Sequence, residues 1–104
     1  MDNIHTIFIK DIIGSQYAIS MEKAKILHDL LEKAINETTV INVSFKEIDV
    51  LITAFMNNAY GLLYKNYTPE DIDSYLKFID LKDIFKKTID NVKEVAVSYY
   101  IMKN

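Results

Sequence analysis

The sequence predicts a small α/β sandwich: a mixed sheet of about four strands packed by helices. Three observations carry that prediction. β-Branched and aromatic runs alternate with stripes at helical spacing, helix-start signals stand between them, and 104 residues hold one core but not two. Half of the positions are hydrophobic and the net charge is only −3, so the chain can bury enough apolar surface to fold.

The elements follow in order. Ile4-His5-Thr6-Ile7-Phe8-Ile9 is β-branched and aromatic and reads as a strand. Gly14-Ser15 marks a turn, and Tyr17-Ala18-Ile19 reads as a second short strand. Ser20 is a helix N-cap with Glu22 in the first turn. Ala24, Leu27, Leu30, Leu31, Ala34 and Ile35 then form one apolar stripe, predicting a helix over 21–36. Val40-Ile41-Asn42-Val43-Ser44-Phe45 is the clearest strand and is apolar enough to sit inside a sheet. Lys46-Glu47-Ile48-Asp49 turns the chain into a helix predicted over 53–66, with Phe55, Ala59, Leu62 and Leu63 facing the core. Gly61 within that helix costs about 1 kcal/mol relative to alanine, which points to close packing at that position.

Thr68-Pro69-Glu70-Asp71 combines a cap, a proline at the first helical position and first-turn acids, and starts a short helix over 69–75. Leu76-Lys77-Phe78-Ile79 alternates as a brief strand. Asp80 reads as the cap of a last helix whose stripe is Phe85, Ile89, Val92, Ala96, Tyr99 and Tyr100. Residues 95–101 also have strong β propensity, but the unbroken spacing favours helix.

Several function classes lack their usual signs. Cysteine is absent, which removes disulfides, thiol catalysis and Cys-based zinc sites. All twelve basic residues are lysine, and they are scattered among fifteen acids, so the basic patch and bidentate arginines of a nucleic-acid binder are missing. No apolar run approaches the roughly 18 residues of a membrane span, and His5, Thr6 and Lys10 break up the first apolar segment. The expectation is a cytoplasmic protein without membrane or nucleic-acid partner. His5 and His28 have no metal-ligand spacing, and Gly14 and Gly61 stand apart from any phosphate-binding loop. Glu70, Asp71, Asp73, Asp80 and Asp83 read as acids that favour helix starts. Neither metal, cofactor nor catalytic residue is expected.

The segment that carries meaning lies mid-chain. A strand and an Asp49-containing turn lead into a helix that opens Ile52-Thr53-Ala54-Phe55. A hydroxyl at a helix start sits among unpaired backbone N–H groups, where a phosphate would be well accommodated. On a helical wheel Thr53, Asn57, Tyr60 and Tyr64 share one side, with Met56 and Tyr67 on its flank. Aromatic residues and Met are enriched at protein interfaces. Two readings of this side stand equal: a partner-binding face, or a face covered by the short helix and the last helix of the same chain.

Val43–Leu63, read as VSFKEIDVLITAFMNNAYGLL, resembles the signature of the STAS-like family of unknown function, and Leu76-Lys77-Phe78-Ile79-Asp80-Leu81 resembles that family's short strand before its last helix. The family is similar in pattern to the STAS domains of bacterial anti-sigma-factor antagonists. The resemblance implies a small STAS-like fold and a regulatory protein–protein interaction module of partner-switching type. It places Thr53 on the phosphoacceptor position, although Ile52 stands where those domains have Asp and Phe55 where they have Gly. It implies a protein partner, a histidine-kinase-like ATPase of anti-sigma type, engaged by Asp49, Ile52, Thr53, Met56, Asn57, Tyr60 and Tyr64. Two alternatives remain: a small-molecule-binding or enzymatic domain on the same fold, and homodimerisation through the Tyr60, Tyr64 and Tyr67 face.

Overall fold

A computed structural model describes residues 4–102. Five strands and five α-helices follow one another in the order β1 (His5–Phe8), α1 (Ile9–Ile13), β2 (Tyr17–Ala18), α2 (Met21–Asn36), β3 (Ile41–Ser44), β4 (Val50–Leu51), α3 (Thr53–Ala59), α4 (Pro69–Tyr75), β5 (Leu76–Ile79) and α5 (Asp83–Ala96). A 3₁₀ helix, Gly61–Lys65, follows α3, and a π-helical turn, Val97–Ile101, follows α5.

The expected α/β class holds, but the sheet differs from the expected four mixed strands. β1, β3 and β5 form a three-stranded sheet with β3 in the centre, and β2 and β4 form a separate two-stranded ribbon. Every pairing among the described strands is parallel. The register aligns Ile7, Val43 and Phe78 on one face and Thr6, Asn42 and Lys77 on the other. Val43 is fully buried and belongs to the core, whereas Thr6 and Lys77 are exposed. One face therefore carries the core and the opposite face meets solvent.

Local chemistry explains most of the boundaries. Ser20 Oγ accepts from the Lys23 N–H at 3.3 Å, and Thr68 Oγ1 accepts from the Asp71 N–H at 3.1 Å, so both expected caps form. The first strand stops at Phe8 because Ile9 and Ile13, one helical turn apart, both reach the core through α1. Gly14 ends α1 in the left-handed conformation (φ 67°), which glycine adopts without steric cost.

Two expected positions move. Asp80 is not the cap of α5: the N-cap is Lys82. Asp80 instead takes a positive φ of 57° and its carboxylate accepts a hydrogen bond from the buried Ser44 hydroxyl. Leu30 belongs to the expected α2 stripe but lies exposed at its margin, while Ala24, Leu27, Leu31, Ala34 and Ile35 are buried. Residues 95–101 are helical, as the spacing predicts, although α5 widens into a π turn after Ala96 and leaves Tyr99 exposed.

Candidate functional site

The helix expected over 53–66 divides in two. α3 covers Thr53–Ala59, Tyr60 closes it, and Gly61–Lys65 winds as a 3₁₀ helix. Gly61 is the physical reason. It is the weakest helix former in the segment, and a Cβ there would come within 3.2 Å of Val92 Cγ1 and 3.4 Å of Asn57 Oδ1. The close packing expected at Gly61 is present, and it brings the chain against α5.

Three residues per turn re-aims the side chains after Gly61, whereas Tyr60 still keeps the α-helical bond from its N–H to Met56 O. Leu62, expected in the core, is exposed, and Tyr60 and Tyr64, whose side the sequence left open between a partner-binding face and a face covered by the same chain, are buried at 3% and 1% exposure. Their hydroxyls lie 2.6 Å apart in a mutual hydrogen bond. The two rings meet edge-on at 5.5 Å between centroids, and Tyr60 also meets Phe78 of β5 edge-on at 5.0 Å. Burial pushes both phenols above the ordinary tyrosine range; for Tyr60 the hydrogen bond with Tyr64 adds to the rise. Met56 is likewise buried. Met56, Tyr60 and Tyr64 are therefore core residues and not surface contacts, and homodimerisation through Tyr60 and Tyr64 has no exposed face to use. Of that aromatic group Tyr67 stays half-buried, its hydroxyl donating to Asn36 Oδ1 at 2.7 Å.

Asp49, Ile52, Thr53 and Asn57 remain at the surface. Thr53 is the first residue of α3 and not its cap: the N-cap is Ile52, which has no capping side chain. The neighbours of Ile52 come from an element that the sequence reading missed. β4 runs directly into α3 and pairs with β2, aligning Tyr17 with Val50 and Ala18 with Leu51. The Asp49 N–H donates to Gln16 O at 2.8 Å and the Ile52 N–H to Ala18 O at 3.2 Å, which carries the pairing beyond the two-residue strands.

Alternation along this ribbon sorts its side chains. Ala18 is fully buried and Leu51 packs against the core, so Tyr17, Ile19, Val50 and Ile52 point outward. Their exposures are 53%, 51%, 41% and 37%. The signal for this face was present in the alternation of Tyr17-Ala18-Ile19 and Val50-Leu51-Ile52. Tyr17-Ala18-Ile19 reads as a strand by itself, whereas the two residues of β4 show as one only beside β2.

Two open grooves flank Leu62. One, of about 200 Å³, lies between Asn57, Gly61 and Leu62 on one side and Val95, Tyr99 and Tyr100 on the other. The second, of about 360 Å³, is lined by Met21, Lys25, His28, Asn58 and Leu62. His28 donates from Nδ1 to Ala59 O at 3.2 Å, tying α2 to the end of α3. His28, Asp29 and Glu32 bring possible metal-ligating atoms within 4.8 Å of one another, but Asp29 is already paired with Lys25 at 3.1 Å. Elsewhere Lys10 bridges to Glu47 at 3.0 Å and lowers the Glu47 carboxyl below its usual range. Asp73 holds Lys93 at 3.0 Å, and that hydrogen bond raises the Lys93 ammonium. No helix among the described residues is long and apolar enough to cross a membrane.

Comparison with known proteins agrees with the mid-chain signature. No curated protein and no solved structure matches the chain. A family model, described as a STAS-like domain of unknown function (DUF4325), matches residues 22–86, which run from the second residue of α2 through β3, the ribbon strand β4, α3, α4 and β5 into the first turn of α5. The chain belongs to this STAS-like family.

Proposed function

We propose that the chain is a regulatory protein–protein interaction module of partner-switching type, and that its docking surface is the outward face of the β2–β4 ribbon together with the start of α3. The observation that carries this reading is the outward quartet Tyr17, Ile19, Val50 and Ile52, which runs without a break into the exposed Thr53. Isolated exposed apolar residues are ordinary, but four on one face of one short ribbon form a contiguous patch of the kind partners cover. Asp49 and Asn57 supply polar groups at its edge.

The partner is a protein, and by the resemblance to anti-sigma-factor antagonists a histidine-kinase-like ATPase. Thr53 is the phosphoacceptor in this reading. A phosphate there adds about −1.5 to −2 charge beside apolar side chains that must lose water on docking, so modification opposes the complex. Met56, Tyr60 and Tyr64 serve the site from beneath, by fixing α3 on the core.

Affinity capture from the native host, read by mass spectrometry, tests the proposal. Wild type retains an ATPase of this type; Ile52→Asp and Thr53→Glu lose it, while Ile84→Asp, a change at another exposed apolar residue, keeps it. Equal retention by all four proteins overturns the assigned surface, and a wild type that retains no ATPase overturns the partner.

A further inference from the structure

The three-stranded sheet ends on one side at β1, and among the described residues no strand pairs with its outer edge. β1 pairs with β3 along His5–Phe8, and apart from β3 it packs chiefly against α1, its own continuation. His5 and Thr6 are exposed. The other edge differs in charge. β5 carries Lys77 within the strand, and Asp73 and Asp80 flank it on either side. Charges on an edge strand oppose the addition of another strand. Residues 4–9, Ile-His-Thr-Ile-Phe-Ile, have no acid, lysine, proline or glycine, and are mostly β-branched or aromatic.

We propose that β1 is a homodimer edge: two copies pair their β1 strands antiparallel about a twofold axis at Thr6, joining two three-stranded sheets into one of six. The strand is its own complement in this register. Thr6 faces the second copy's Thr6, a favourable cross-strand pair, and Ile4 faces the second copy's Phe8. Ile4, Thr6 and Phe8 alternate onto the solvent face of the sheet, where Ile4 is 50% and Phe8 38% exposed. The twofold makes the Ile4–Phe8 contact twice and brings no like charges together. A second copy suits the edge better than a charged peptide does, because both sides of the pairing are then uncharged. An antiparallel neighbour at the end of a parallel sheet is common. Four-residue edges give an interface at the small end of the specific range, so the dimer is weak and depends on concentration.

The cysteine-free sequence provides a direct test. Facing residues of an antiparallel pair lie about 4.5–5.5 Å apart between Cα atoms, within disulfide reach. Under mild oxidation Thr6→Cys forms a cross-linked dimer, and Lys77→Cys on the opposite edge forms far less. Sedimentation equilibrium of the wild type shows a monomer–dimer equilibrium, and Ile4→Lys and Phe8→Lys each weaken it at least tenfold while melting close to wild type. A wild type that stays monomeric at about 1 mM overturns the proposal. So does equal cross-linking of the two cysteine variants, or undiminished association of both lysine variants. The partner reading at α3 uses none of these residues and stands or falls separately.

Discussion

Ile52–Asn57 and Tyr60–Tyr64 are consecutive stretches of one segment, yet they do opposite work. The first presents Ile52, Thr53 and Asn57 to solvent beside the ribbon, with only Phe55 and Met56 turned inward. The second, three residues on, buries Tyr60 against Phe78 and Tyr64 against Tyr60. The change lies at Gly61, where an α-helix gives way to 3₁₀ winding pressed on Val92. A side chain's place on a helical wheel fixes its side of the helix, not what packs there: Tyr60 keeps the α-helical bond to Met56 O and is covered by Phe78 of β5.

The contrast is open to attack first at its buried end. Tyr60→Ala removes a ring from the core and is expected to cost about 3–5 kcal/mol, read by thermal or urea denaturation. A cost below about 1 kcal/mol would mean that the ring is not packed as described. Gly61→Ala is expected to cost about 1–2 kcal/mol despite alanine's better helix propensity, because the new methyl group crowds Val92. Val92→Ala in the same chain should reduce that penalty, and the double-mutant cycle measures the coupling.

Smaller effects sharpen the picture. Tyr60→Phe leaves the Tyr64 hydroxyl buried without its partner and is expected to cost about 1–2 kcal/mol, while adding Tyr64→Phe recovers part of the loss. The same pair sets an alkaline limit. The folded chain holds the Tyr60 and Tyr64 protons more tightly than the unfolded chain, whose tyrosines release theirs near pH 10. Stability is therefore full below that pH and falls above it, by up to about 1.4 kcal/mol per pH unit for each phenol that stays protonated. Lys93, raised by Asp73, acts in the same direction. Phe at both tyrosine positions should flatten this alkaline decline in pH-dependent denaturation.

Much of the fold is legible in the residues because its signals are local. Ser20 and Thr68 announce α2 and α4, Pro69 sets the first turn of α4, and the run through Val43 marks the central strand. What escapes a sequence reading depends on distant partners. β4 is a two-residue strand that exists through its pairing with β2, which the sequence does announce, and α1 shows only as the spacing of Ile9 and Ile13 inside a β-branched run. Asp80 has the composition of a cap, but Ser44 of β3 claims its carboxylate. The candidate surface was half visible: Asp49, Ile52, Thr53 and Asn57 lie outside as the helix start suggests, whereas Tyr60 and Tyr64 lie on a side that the same chain covers. Tyr17, Ile19 and Val50 replace Met56, Tyr60 and Tyr64 as the apolar part of the surface.

The smallest stability change belongs to the exposed end, and it coincides with the largest functional one. Ile52→Asp is expected to shift stability by less than about 0.5 kcal/mol, since its side chain is 37% exposed and no capping bond depends on it. The decisive measurement is capture of the ATPase by wild type and by Ile52→Asp, with the melting temperature of each recorded on the same preparations. Ile52→Asp is expected to melt with wild type and to fail to retain the ATPase. Full retention by Ile52→Asp, or a collapse in its stability as deep as that of Tyr60→Ala, would contradict it.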